Sequence, residues 1–592
     1  MSDYTPPMDD IAFVLTHLCD IEDLSKLEPF THADPATILG VIEEAGRFMA
    51  SAIAPLNHPA DKQGLTFADG VITTPDGFKE AYAQYVEAGW GAVPFDPEYG
   101  GGGFPWVVGV AMQELLTTAS MAFSLGPLLT QGAIDMLQHH SSADQKAVYL
   151  PKMVTGEWTG TMNLTEPQAG SDVGALITKA LPAADGTYRI SGQKIFITFG
   201  EHDMADNIVH LVLARTPDAP PGTKGISCFI VPKYLVEEDG ALGERNGVSC
   251  VSIEHKMGIH ASPTCTLAYE DAVGFLVGDE NEGMRYMFTM MNNARLSVGL
   301  EGLALAERSH QQAVAFAKER LQGRAVGAEP GTQSPIIEHA DVRRMLLTQK
   351  ALIEAMRGLM YLNGRSIDLA KHHPDEAVRQ EHAEIADLYT PLSKAWGTDT
   401  GLECTSLGIQ VHGGMGYIEE TGAAQHFRDA RIPLIYEGTN GIQAMDLVGR
   451  KLPMRGGAVV GEHLDRMAAT AEVLTGSADE DLAAIGVRLA EGVDACREAT
   501  GWLLEHGLAE PNDALAGSTP YLRLLATVTG GWVLGREALA ARREGADEPE
   551  SFRDAKVVTA RFFAENLLPS ALGLVHAVSS GAAPLYAYPL FV

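Results

Sequence analysis

The spacing of apolar residues changes twice along the chain. From about Asp9 to Met153 it is helical, with Ala36 to Ala54 and Trp106 to Leu137 rich in Ala, Leu, Met and Glu. Gly89-Trp90-Gly91 and the four glycines of Tyr99 to Pro105 interrupt that pattern and predict tight loops. From about Thr159 the apolar runs become short and β-branched: Tyr188 to Gly192, Lys194 to Thr198, Ile208 to Ala214, Gly225 to Val231 and Val248 to Ile253 predict strands. Helical spacing returns after Val277-Gly278-Asp279. Val342, Met345, Leu346, Ile353, Met356 and Met360 form one stripe, and Ile385, Leu388, Leu392, Trp396, Leu402 and Ile409 another, with Pro391 predicting a kink or break. Beyond Leu452-Pro453, Gly456-Gly457 leads to more helix, as in Leu482 to Cys496 and Tyr521 to Arg543. The expected architecture is α+β: a helical domain over 1–158, a β domain over 159–278, a helical bundle over 279–452 and an extra helical domain over 453–592.

Composition narrows the functional classes. The 43 Lys and Arg residues against 77 Asp and Glu give a formal net charge of −34, which argues against nucleic acid or an anionic membrane as partner. Cys19, Cys228, Cys250, Cys265, Cys404 and Cys496 show no CxxC spacing, so no metal site or redox dithiol is expected. No basic segment followed by an apolar one opens the chain, and no apolar run of about 18 residues occurs, so a cytoplasmic protein is the expectation. No strand-borne GxGxxG appears, so a dinucleotide would not be held on a Rossmann domain.

Three segments have the composition of ligand-binding turns. Leu164-Thr165-Glu166-Pro167-Gln168-Ala169-Gly170-Ser171-Asp172 offers backbone N–H groups and hydroxyls to ring oxygens and phosphates. Gln410-Val411-His412-Gly413-Gly414-Met415-Gly416-Tyr417 ends a helix and lets a ligand approach the backbone. Ile435-Tyr436-Glu437-Gly438-Thr439-Asn440 presents one carboxylate in a loop. Taken alone, each is also compatible with a solvated turn, and Ile195-Phe196-Ile197-Thr198 with a core strand.

Together and in this order, these segments resemble the acyl-CoA dehydrogenase family over about residues 35 to 452. The resemblance implies FAD as cofactor and α,β-dehydrogenation of an acyl-CoA to the trans-2-enoyl-CoA. It makes Glu437 the base that removes the α-proton while the β-hydride goes to the flavin, with a closed apolar site raising the Glu437 pKa. Some members carry the base on an earlier helix, where this chain has Ala294. The resemblance places Leu164, Thr165, Ser171, Phe196, Thr198, Arg320, Gln410, Gly413, Gly414 and Thr439 at FAD, and Ser171, Asn292, Arg295 and Gly438 at the acyl-CoA. Phe196 stands where Trp is commoner, Asn292 where Asp is, Gly323 where Phe is, and Gln425 where Lys or Arg is. Because the Arg320 and Gln410 counterparts reach the FAD of a neighbouring subunit, the resemblance also implies an oligomer, and the extra helical domain a homodimer. Electron-transferring flavoprotein is the expected acceptor.

Tyr4 to Phe13, Glu319 to Gly327 and His255 to Thr264 resemble most closely the members acting on 3-methylmercaptopropionyl-CoA in dimethylsulfoniopropionate demethylation. Members acting on short or medium fatty acyl-CoAs share the same patterns. Two rivals are an acyl-CoA oxidase, disfavoured by a tail Pro589-Leu590-Phe591-Val592 unlike Ser-Lys-Leu, and a silent acyl-CoA-binding protein, disfavoured by the presence of Glu437.

Overall fold

The computed structural model describes residues 4–237, 239–507, 509–545, 548–587 and 589, so Leu590, Phe591 and Val592 of the tail lie outside it. The chain forms two compact units. The first comprises Glu44–Phe104 and Leu115–Ser297; the second contains Pro105–Glu114 together with 4–43 and 298–587. No helix among the described residues is long and apolar enough to cross a membrane.

A seven-stranded sheet organises the first unit, in the order Trp158–Asn163, Asn207–Ala214, Ser227–Pro232, Thr264–Leu276, Tyr188–Thr198, Lys179–Pro182, with Val248–Ile253 also paired to Thr264–Leu276. The first two strands run parallel. Asn207–Ala214 is buried at every position, so both faces are buried and the apolar residues flank a buried His210 in place of polar-out alternation. Tyr188 to Gly192 and Lys194 to Thr198, expected as two runs, are one strand. The hairpin Thr66–Ala68 with Val71–Thr73 falls inside the stretch expected to be helix interrupted by loops, with no strand. Its turn is Asp69-Gly70, both at positive φ, a two-residue hairpin signal that the surrounding helical pattern masks.

One buried ion pair fixes the part of this sheet that carries the first motif. Lys194 Nζ donates to Glu166 Oε1 at 2.8 Å and to the Leu164 carbonyl at 2.9 Å, with the two side chains 0% and 1% exposed. Glu166 also accepts from the Thr178 hydroxyl and from the N–H groups of Thr178 and Ile177. Burial alone would raise its pKa; the Lys194 ammonium and these hydrogen bonds outweigh that and hold it down at about 2. The loop is thereby tied to the strand that bears Phe196.

Helices build the second unit. Ala340–His372 packs on Glu376–Pro391, on Gly397–His412 and on Pro511–Ala541. At Pro391 the chain enters a five-residue π segment, Leu392–Trp396, before helix resumes, so the expected kink is a widened turn. Gly299 and Gly302 of the helix Gly283–Glu319 meet this region backbone to backbone: an added methyl would lie 2.5 Å from the Ser393 carbonyl oxygen and 2.2 Å from that of Gly397. Buried charge ties the C-terminal helices to the bundle helix Ala340–His372, where Lys556 Nζ lies 3.6 Å from Glu354 Oε2. Lys556, 2% exposed, reaches Asp10 at 2.9 Å and Glu537 at 3.1 Å, while fully buried Arg357 pairs with Glu114 and Glu307.

Two outcomes follow from this packing. Gly302→Ala should destabilise the protein by about 1–3 kcal/mol despite the better helix propensity of Ala, because two backbones cannot move apart locally; denaturant unfolding measures it. Lys194→Met should cost about 3–5 kcal/mol by leaving Glu166 buried without its cation. Thermal melting should show most of that loss recovered in the double variant Lys194→Met, Glu166→Gln.

Candidate active site

In the first unit, Phe196 is set by a β-bulge. Cys265 lies opposite Ile197 and Leu267 opposite Lys194, so Ile195 and Phe196 share the single partner position Thr266. Phe196 takes φ +59° and is 58% exposed. A left-handed backbone at an aromatic residue costs about 1–2 kcal/mol, and bulges re-aim side chains beside functional sites. The Ile195 N–H donates to the Thr165 carbonyl at 2.9 Å, bringing the Leu164-Thr165 loop against the bulge. Leu164, Thr165 and Thr198 are half-buried and Ser171 is exposed. An outward-facing aromatic face with threonine hydroxyls on adjoining backbone suits a flat heteroaromatic ring with a polar edge. These residues therefore fit the flavin of FAD.

On the helix Gly283–Glu319, Arg295 is 6% exposed and its Nη1 donates to Asn292 Oδ1 at 3.1 Å, with the guanidinium 6.0 Å from the Phe288 ring centre. Asn292 is exposed. Ala294 is 1% exposed and carries no group able to accept a proton.

In the second unit, Glu437 and Gly438 occupy consecutive left-handed positions at φ +55° and +85°. For Glu437 this backbone is unfavourable and needs support from both sides. Before it, the Tyr436 hydroxyl donates to Glu301 Oε2 at 2.5 Å. After it, Thr439 caps the helix Asn440–Asp446 by accepting from the Ile442 N–H, and Asn440 is bonded in turn. Asn440 Oδ1 accepts from Lys394 Nζ at 2.8 Å; its Nδ2 donates to Asp399 Oδ1 at 2.8 Å and to the Thr398 hydroxyl at 3.0 Å. Lys394 sits in the π segment and is buried. Glu301 is 0% exposed. Burial and the neighbouring Glu437 carboxylate push its pKa up to about 8, against the opposing pull of the Tyr436 hydrogen bond and of Lys394.

The glycine segment closes the helix Gly397–His412. Gly413, at φ +61°, donates its N–H to the Gln410 carbonyl, and Gln410, Gly413 and Gly414 are all exposed. A methyl added at Gly413 or Gly414 would meet nothing within 4 Å, so a ligand has free access to the backbone there. Arg320, also exposed, donates from Nη2 to the Gln322 side-chain oxygen at 3.4 Å. Gln425 is 1% exposed and donates to Asp429, a position with no room for a solvated cation.

The motifs alone do not single out Glu166, Lys194, Glu301, Tyr436, Lys394 and Asn440, which hold these segments in place. A signal was present: Lys194 in a β-branched run, Glu301 within Leu296 to Ala306, and Lys394 beside Trp396 are single charges in apolar surroundings, and buried charges persist only when partnered.

Comparison with known proteins matches four family models in this order: acyl-CoA dehydrogenase N-terminal domain at residues 39–157, middle domain at 161–272, C-terminal domain at 281–452, and acetyl-CoA dehydrogenase C-terminal like at 463–589. The chain is 48% identical to a 3-methylmercaptopropionyl-CoA dehydrogenase of Ruegeria pomeroyi, over 95% of this chain and 96% of that protein. It is 36% identical to a butyryl-CoA dehydrogenase of Syntrophomonas wolfei, over 97% of each. A Bacillus anthracis acyl-CoA dehydrogenase solved in complex with FAD shares the fold, with a TM-score of 0.70 at 22% identity, over 92% of this chain and 87% of that one. The chain belongs to the acyl-CoA dehydrogenases and is, with them, an FAD-dependent oxidoreductase acting on CH–CH groups.

Proposed function

We propose that this chain converts 3-methylmercaptopropionyl-CoA to methylthioacryloyl-CoA, a step of dimethylsulfoniopropionate demethylation. The observation that carries this reading is the near full-length 48% identity to the Ruegeria protein of that name. The near full-length likeness to a butyryl-CoA dehydrogenase supports a second reading, a short-chain fatty acyl substrate.

Glu437 is the proposed base. Its carboxylate takes the α-proton of the thioester, and the left-handed turn fixes the direction from which it does so. FAD, when bound, supplies the acceptor for the β-hydrogen and its electron pair. Leu164, Thr165, Ser171, Phe196 and Thr198 would meet the flavin, and Arg320, Gln410, Gly413, Gly414 and Thr439 the rest of the cofactor. Ser171, Asn292, Arg295 and Gly438 would meet the acyl-CoA.

Met415, Tyr417 and Ile418 are exposed next to the open glycines, and Leu321 next to Arg320; burying them in a homodimer supports the proposal that one subunit completes the other's cofactor site. Electron-transferring flavoprotein is the proposed acceptor and the cytoplasm the proposed location. The proposed domain plan remains 1–158, 159–278, 279–452 and 453–592.

Glu437→Gln should lower kcat about a thousandfold while leaving bound flavin and melting temperature unchanged; activity near wild type would remove Glu437 as the base. Anaerobic bleaching of the flavin by a thioester panel should be fastest with 3-methylmercaptopropionyl-CoA. Faster bleaching by butyryl-CoA would move the assignment to fatty acyl chains, and rapid peroxide formation in air would move it to an oxidase.

A further inference from the structure

We propose that Glu301, acting through its hydrogen bond with Tyr436, is a positioning residue that holds the Glu437 turn. The inference rests on the reading of Glu437 as the base. Glu301 lies on the helix Gly283–Glu319, 135 residues before Tyr436, and is fully buried. Its Oε2 accepts the Tyr436 hydroxyl, while its Oε1 has no hydrogen-bond partner among the described residues. Tyr436 immediately precedes Glu437. With Tyr436 fixed on one side and Asn440 on the other, the residues between them are confined to a turn that Glu437 would not adopt unaided.

The charge state of Glu301 follows from its surroundings. From the turn it faces Tyr436 and Glu437; from the π segment it faces Lys394, whose ammonium is committed to Asn440; Asp429 lies near enough to act on Tyr436. A carboxylate satisfied at one oxygen only is costly in a buried site, whereas the neutral acid is much less so. Glu301 is therefore a carboxylic acid at neutral pH, and its uncharged state spares Glu437 a second negative charge. As pH rises through about 8, Glu301 ionises, the two carboxylates repel and the turn loosens. Because the folded pKa lies above the ordinary value of 4.5, the stability that this group contributes is full below about 4.5. It is lost progressively up to about 8.

The test compares Glu301→Ala, Glu301→Gln and Tyr436→Phe in the FAD-loaded enzyme. Glu301→Ala should lower kcat about 10- to 100-fold with KM nearly unchanged. Glu301→Gln, neutral and of the same shape, should restore kcat and remove the loss of activity above about pH 8. The melting temperature of wild type relative to Glu301→Gln should fall between about pH 5 and 8 and level off above, a readout independent of turnover. A wild-type kcat in Glu301→Ala, or an alkaline limb and melting profile unchanged in Glu301→Gln, would overturn the proposal. If Glu301→Ala does not fold, Tyr436→Phe breaks the same bond from the other end and should show the same kcat loss; a wild-type kcat there overturns it equally. Full activity in Glu437→Gln would instead sink the base assignment, so the two failures are distinguishable.

Discussion

The left-handed turn at Glu437 is the constraint on which the second unit depends. A non-glycine residue at φ +55° is stable only where the residues around it are fixed more firmly than it is strained, and here Tyr436 is tied to the buried acid Glu301 and Asn440 to the buried ammonium of Lys394. Those ties require three elements to come close: the helix with Glu301, the π segment with Lys394, and the turn itself. Gly299, Gly302 and Gly397 allow that approach, since any side chain at the first two would strike opposing backbone. The π segment adds a residue at Pro391 and so places Lys394 on the face that meets Asn440.

The first unit solves the same problem with different groups. Phe196 also has a left-handed backbone, at +59°, within a bulge that leaves two residues opposite one. The Lys194–Glu166 pair, two residues before it, clamps the motif loop to that strand. In both units buried charged or acidic groups lie close to the strained residue. Burying such groups is costly, and the cost is offset because each hydrogen bond they make fixes a specific residue of the loop or turn. Charge thus acts locally in a chain whose overall balance of −34 concerns solubility.

The extra C-terminal helices use buried charge as well. Lys556 contacts Asp10 of the N-terminal helix, Glu354 of the bundle and Glu537, so residues remote in sequence meet within one compact unit. Removing one partner from such a network leaves the others unpaired, so these helices are integral to the bundle they cover.

Much of this was legible in the sequence. Helical and β periodicity located the helices and most strands, because those patterns depend on neighbours within a few residues. The motifs at Leu164, Gln410 and Ile435 identified the family and with it FAD, since each is a short contiguous string. Only the tertiary structure decided the conformations of Phe196 and Glu437, because no local preference places an aromatic or a glutamate at positive φ. It alone showed that Glu166 finds Lys194 across 28 residues and Tyr436 finds Glu301 across 135. An isolated charge in an apolar stretch announces in the sequence that a partner exists; which residue it is depends on chain crossings that periodicity does not encode.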